Sequence, residues 1–267
     1  SKGFNMIRGL YTAASGMTAQ QQNIDVISNN IANVNTTGFK QDRAEFQDLM
    51  YQSLNYAAGA TSETSNNPTG IDVGLGVRVS GIQKNFIQGS IRETGNTYDF
   101  SIQGEGFFKV TTPNGETAYT RDGSFKKDNE GSLVNGLGYK LDPEIVIPDE
   151  VSTISIGQDG IVSGTDAGTG EITQLGQITL STFINPSGLA PQGNSLYLSS
   201  TISGDATEGV PGINGIGSLR QGMLESSNVQ MVTEMVNLIT AQRGYEANSK
   251  AITTTDTMLQ TVNQLKR

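Results

Sequence analysis

Ile24-Asp25-Val26-Ile27-Ser28-Asn29-Asn30-Ile31-Ala32-Asn33-Val34-Asn35-Thr36-Thr37-Gly38 both builds a helix and ends it. Ile24, Ile27, Ile31 and Val34 recur at steps of three and four, the spacing that gathers apolar side chains on one helix face. Asn35-Thr36-Thr37-Gly38 then supplies the stop, because Thr is a weak helix former and Gly accepts the left-handed turn that closes a helix. Toward the N-terminus the same face continues through Met17, Ala14, Leu10 and Ile7. Gln21 falls in the series between Met17 and Ile24, so a polar residue interrupts an otherwise coiled-coil-like seam. The spacing predicts a helix from Ile7 to about Val34, roughly 42 Å long at ~1.5 Å per residue.

The far end mirrors this pattern. Ser226-Ser227-Asn228 offers capping side chains ahead of Val229, Val232, Val236 and Ile239. A second three/four series runs through Met235, Leu238, Gln242, Tyr245, Ile252 and Leu259 and ends near Val262 and Leu265. Gly244 and the Thr253-Thr254-Thr255 run weaken the middle of this helix. Neither helix can bury its stripe alone, and no other helical segment lies between them. The simplest expectation is that the two ends pack on each other.

Between them, from about Gly95 to Ser203, short β-favouring runs alternate with Gly, Asn, Asp and Pro. Thr97–Gln103, Gly106–Val110 and Thr117–Thr120 read as strands, the last two joined through Pro113-Asn114-Gly115. Ser152–Ile156 and Gly160–Ser163 flank Gln158-Asp159 as a second hairpin, and Gln177–Phe183 and Leu196–Leu198 complete the set. The flanks are rich in Gly, Ser, Thr and Asn and read as extended arms. The predicted class is α+β, with long terminal helices pairing as a coiled-coil-like layer, extended β arms and a central antiparallel all-β domain. Its parts are a discontinuous helical core (6–40 and 227–267), arms (41–95 and 204–226) and the β domain (96–203).

Composition narrows the function. Only 16% of the 267 residues are charged, 33 are Gly, and the formal net charge of −9 disfavours nucleic acid and anionic lipid as partners. The absence of Cys removes disulfides and thiolate metal sites, and the absence of His removes the usual general base near neutral pH. No stretch approaches the ~20 apolar residues of a membrane-spanning helix. No apolar core of about 7–15 residues follows a basic start, so no cleavable signal peptide is expected, and any export would take another route. Gly104-Glu105-Gly106 and Gly74-Leu75-Gly76 do not continue into a phosphate-binding loop. Asp128-Asn129-Glu130-Gly131 lacks the spacing of a calcium loop, and Asn35-Thr36-Thr37 is a glycosylation sequon in form only. Asp99, Glu105 and Asp122 are carboxylates in the strand-rich region, read as turn or solvated groups. No catalytic residue, cofactor or metal ligand is expected.

From Asn29 to Lys40 the sequence resembles the N-terminal signature of flagellar rod and hook proteins, carried by Asn29, Asn30, Ala32, Asn33, Thr37, Gly38 and Phe39. Ser227-Asn228-Val229 and Gln242-Arg243-Gly244-Tyr245-Glu246-Ala247-Asn248-Ser249-Lys250 resemble that family's C-terminal segment, where members often have Ala at the place of Gly244. Gly104–Phe108 and Tyr119–Phe125 resemble its central domain. The likeness covers essentially the whole chain after Met6. The single short β domain argues against the larger hook and hook-associated members. The length, and the arm after Phe46 with Asp48-Leu49-Met50-Tyr51-Gln52, are similar to the distal-rod branch.

The resemblance implies a non-enzymatic subunit of nested cylinders: terminal helices innermost, arms next, β domain outside. It implies a helical homo-polymer in the basal body, with other rod proteins, the hook protein, outer ring bushing proteins and the flagellar type III export apparatus as partners. Subunit packing would fall on Ile7, Leu10, Ala14, Met17, Ile24, Ile27, Ile31 and Val34 at one end. At the other it would fall on Val229, Val232, Met235, Val236, Leu238, Ile239, Tyr245, Ile252, Leu259 and Val262. Two alternatives stand beside this reading: a proximal-rod or rod-hook paralogue, and a secreted carbohydrate-active β protein with helical oligomerisation ends.

Overall fold

A computed structural model describes residues 2–55, 60–62, 65–66 and 71–265. The side chains of Ile7 and Leu265, and residues 56–59, 63–64, 67–70 and 266–267, lie outside the described residues. The fold is α+β, with two long helices and many antiparallel strands. It divides into two compact units. The first takes helix α1 (Lys2–Ala32) as far as Ile31, residues 42–83, and helix α2 (Met231–Leu265). The second takes residues 32–41 and 84–230.

Helix α1 closes at Ala32, slightly before the apolar spacing ends. Asn33 is the reason: the Thr36 amide donates to its carbonyl at 3.1 Å, and the Thr36 hydroxyl to its Oδ1 at 3.1 Å. Gly38 completes the stop at φ +67°. Ahead of α2 the Val229 amide donates to Ser227 Oγ at 3.2 Å. Glu234 then sits in the first turn of α2, where the helix dipole favours a carboxylate.

Within the first unit the two helices meet at three levels. Asn30 Nδ2 donates to Glu234 Oε2 at 3.2 Å, Gln20 reaches Gly244, and Asn248 reaches Gly16. Stepping back along α1 from 30 to 20 to 16 matches stepping forward along α2 from 234 to 244 to 248, the register of an antiparallel pair. The expected meeting of the two apolar stripes holds only in part. Ile27 is buried and Leu10, Met17, Ile24 and Ile31 are half-buried, but Ala14 and Gln21 are exposed while Ala13 and Ala19 are buried. Gly16 and Gly244 leave no side chain of their own at these levels, and Asn248 and Gln20 fill the space beside them.

A Cβ added at Gly244 would lie 3.4 Å from Gln20 Cδ, an ordinary contact. Gly244→Ala is therefore expected to stabilise α2 by up to ~1 kcal/mol through helix propensity. Slower amide exchange around residue 244 would register the gain. Faster exchange there would mean the seam cannot accept even a methyl group.

In the second unit, Phe108–Thr111 and Thr117–Thr120 form the expected hairpin, its turn closed by the Gly115 amide on the Thr112 carbonyl at 2.9 Å. Alternation buries Phe108 and Val110 and leaves Lys109 and Thr111 half-buried. This hairpin lies inside a seven-stranded antiparallel sheet. Val151–Ile156, Ile161–Asp166 and Ile172–Gln177 form a three-stranded sheet around the second expected hairpin. Phe100, Phe108 and Phe125 centre the core, with ring centroids 5.8 and 5.4 Å from Phe125.

Two strand boundaries differ from the spacing. The strand expected from Thr97 begins at Phe100, because Thr94 Oγ1 and Asn96 Nδ2 donate to the Asp99 carboxylate at 2.6 and 3.2 Å and hold a turn there. The run Gln177–Phe183 is broken, Gln177 ending one strand and Leu180–Thr182 forming another. Ile91–Glu93 pairs with Met223–Glu225, and Phe100–Gln103 with Ser218–Gln221, so these parts of both flanks are laddered within the second unit.

Candidate functional site

Three charged side chains meet inside the second unit. Lys40 Nζ lies 2.6 Å from Glu225 Oε1 and donates to the Ile87 carbonyl at 2.9 Å. Arg121 Nε and Nη2 lie 2.9 and 2.8 Å from Glu225 Oε2. Arg121 Nη1 donates to the carbonyls of Gly104 and Gly106 at 2.9 and 2.6 Å, so the Gly-Glu-Gly motif receives a guanidinium rather than a phosphate. The Gly89 amide donates to Glu225 Oε1 at 2.9 Å. The side chains of Lys40 and Glu225 are fully buried, and Arg121 is 4% exposed. Burial holds the Lys40 ammonium below the usual lysine range, opposed by the charge of Glu225 and reinforced by that of Arg121.

The Lys40 and Glu225 side chains have no solvent-facing position, so the cluster acts as a buried clamp, and Arg121 alone of the three borders a cavity. The cluster ties the segment after α1 to the strand that leads toward α2. The Gly38 amide donates to the Glu225 carbonyl at 2.8 Å. Nearby, Asn228 Oδ1 accepts from the Gln41 amide at 2.8 Å, and its Nδ2 donates to the carbonyls of Asn85 and Ile87 at 2.8 and 3.0 Å. Lys40 and Arg121 were visible in the sequence only as letters of motifs, and Glu225 only as the end of an arm. The available signal was position, since each closes or follows a buried run where a charge must reach water or a partner.

The signature residues divide between the units. In the first unit Asn30 brackets Asp42, accepting its amide and donating to its carbonyl, both at 2.8 Å, while Asn29 Nδ2 donates to Asp42 Oδ2 at 3.2 Å. In the second, Gly38 and Phe39 are buried and Lys84 Nζ stands 5.2 Å over the Phe39 ring. Asn33, Val34 and Thr37 are half-buried there, and Ala32 is exposed.

Residues expected to pack between subunits fall into two groups on α2 and its approach. Val229 is buried, and Leu238, Tyr245, Ile252 and Leu259 are half-buried at steps of seven. Val232, Met235, Val236, Ile239 and Val262 are exposed, Val232 at 77%. Met258, outside the expected series, joins the exposed group. The carboxylates considered for chemistry are held by neighbours: Asp99 as above, and Asp122 by the Ser124 amide and hydroxyl at 3.1 and 2.8 Å. Burial raises the Asp122 pKa, against the Ser124 hydrogen bonds. Glu105 lines a cavity of about 310 Å³ with Phe86, Phe107, Arg121 and Phe183. Among the described residues no group of three or more Asp or Glu is placed to hold a metal.

Family models match three stretches of the chain. The model described as flagella basal body rod protein covers residues 10–40. That of the flagellar hook protein FlgE/F/G D1 domain covers 101–164, and that of the flagellar basal body rod FlgEFG protein C-terminal covers 220–265. The flagellar basal-body rod protein FlgG of Borreliella burgdorferi is 50% identical over 264 residues, 98% of this chain and 100% of that protein. The chain belongs to the FlgG family of flagellar basal-body rod proteins.

Similarity to another organism sharpens the placement within rod proteins. In Caulobacter vibrioides the FlgG protein is 46% identical over 261 residues, 97% of this chain and 100% of its own length. The FlgF protein of the same organism is 37% identical over 254 residues, 94% of each chain. The resemblance read from Asn29–Lys40 is thus borne out over the full length, which does not favour a carbohydrate-active β protein. The three matched stretches each contribute one member of the buried cluster: Lys40, Arg121 and Glu225.

Proposed function

We propose that this chain, a structural subunit of the flagellar basal-body rod, polymerises helically into the distal rod, a hollow shaft that carries torque from motor to hook. Its role is mechanical, with no catalytic step. The observation that carries the reading is the exposed apolar face of α2 at Val232, Met235, Val236 and Ile239. Apolar surface left in water forgoes ~25 cal/mol per Å² of burial, which neighbouring copies would recover. In the polymer the terminal helices pair as a coiled-coil-like inner layer, the arms surround them and the strand-rich unit lies outermost. Stronger identity to FlgG than to FlgF favours the distal over the proximal segment. Other rod proteins and the hook protein would join at its ends, ring bushing proteins would surround it, and the type III export apparatus would deliver it.

Removing residues 231–267 tests this directly. Electron microscopy of the full chain is expected to show tubes with a central channel, and the shortened chain is expected to form none. Ordered tubes from the shortened chain would show that α2 is not part of the assembling layer.

A further inference from the structure

We infer that the outward face of α2 in one copy seats in the groove between α1 and the strand Val77–Lys84 of the next copy, with Arg243 of the first meeting Asp25 of the second. This rests on the reading of the chain as a self-assembling rod subunit and names the two surfaces that meet.

The donor surface has a defined order. Val232, Val236 and Ile239 are exposed at steps of four and three, and Arg243 follows one turn later on the same side. These twelve residues span roughly 16 Å at ~1.5 Å per residue. Arg243 is exposed and makes no ion pair among the described residues. The face therefore presents three aliphatic steps and then an unpaired cation.

The acceptor surface has the complementary order. The groove holds about 560 Å³ and is lined by Gln22, Asp25, Val26 and Asn29 of α1 and by Val79 and Ile82 of the strand. Val26 forms a buried floor, whereas Ile82 remains 59% exposed at the wall. Asp25 is exposed, accepts only an amide hydrogen from Gln21 at 3.1 Å, and makes no ion pair among the described residues.

A second copy is the occupant these features select. Chains carrying a net charge of −9 repel at a distance, so a local cation-to-carboxylate match is needed to set the register of approach. Face and groove are different surfaces, so their contact is heterologous. Such a contact repeats from copy to copy, and gives an open helical polymer where the rotation between copies does not close a ring.

The absence of native Cys makes the contact testable without background. Chains carrying Val236→Cys and chains carrying Ile82→Cys are mixed, polymerised and treated with a short bismaleimide. Mixed crosslinked dimers are expected from the polymer and not from the dilute, unpolymerised mixture. In a second arm, Arg243→Glu or Asp25→Arg alone is expected to reduce polymer yield by about tenfold, and the two together to recover it to within about twofold. All four positions bear on exposed side chains, and circular dichroism of each monomer checks that its fold is kept. Polymer lacking the mixed crosslink overturns the pairing and leaves the rod-subunit reading standing. Single reversals that the double reversal fails to rescue overturn the Arg243–Asp25 contact. A wild-type chain that forms no polymer overturns both readings.

Discussion

Glu225→Gln is expected to destabilise the second unit by about 3–5 kcal/mol, because it leaves two cations buried without their counter-charge. The substitution keeps the side-chain volume, so the loss reports charge rather than a cavity. Glu225 faces Lys40 at 2.6 Å through one oxygen and Arg121 at 2.8 Å through the other, with no part of its side chain exposed. A neutral amide would also turn a donor toward one of these donors. At roughly 2–4 °C per kcal/mol for a unit of this size, the melting temperature should fall by about 6–20 °C. Lys40→Met is expected to cost less, about 1–3 kcal/mol, since the two acceptors that lose this donor keep others: Glu225 keeps Arg121 and the Gly89 amide, and the Ile87 carbonyl keeps Asn228 Nδ2. Thermal and urea unfolding of the two variants would rank them. A larger loss for Lys40→Met would show that Glu225 is not the centre of the cluster.

Gly38→Ala is expected to be nearly as damaging, for a different reason. Gly38 sits at φ +67°, where an L side chain costs ~1–2 kcal/mol. A Cβ there would also stand 2.6 Å from the Asp122 backbone nitrogen and 2.8 Å from the Arg121 carbonyl carbon. Neither atom can swing aside as a side-chain tip could, so a further ~1–3 kcal/mol of overpacking is expected. Movement here would pull on Lys40, two residues on, and on the hydrogen bond that the Gly38 amide donates to the Glu225 carbonyl. Gly95 supplies the control: its φ is +69°, but nothing lies within 4 Å of an added Cβ. Gly95→Ala should show the conformational cost alone. Equal losses for the two variants in urea unfolding would remove the close approach of residues 121–122 from the account.

Legibility tracked the range of the interaction. The helix over Ile24–Ala32 and its stop at Gly38 could be read because their cause lies within a few residues: apolar steps of three and four, then Asn33 and Thr36 closing a turn. The hairpin at Asn114-Gly115 was legible for the same reason. The strand beginning at Phe100 was misplaced by a few residues because the Asp99 carboxylate prefers the turn made with Thr94 and Asn96. Family membership was legible because its motifs occur near both ends and in the middle of one chain.

The buried cluster was not legible. Lys40 and Arg121 stand 185 and 104 residues from Glu225, and no local pattern signals which distant carboxylate will neutralise a buried cation. Nor could spacing decide which face of α1 meets α2. Periodicity placed apolar side chains on a stripe, but at Gly16 and Gly244 the contact is made by the polar side chains Asn248 and Gln20, and at Asn30 by Glu234, none of which the apolar spacing marks. The sequence by itself determined that there would be two helices, short antiparallel strands and apolar stripes, because periodicity and turn chemistry act through neighbours. Only the tertiary structure decided which charges share the interior and which apolar side chains stay in water, because both depend on what distant segments bring within a few ångströms.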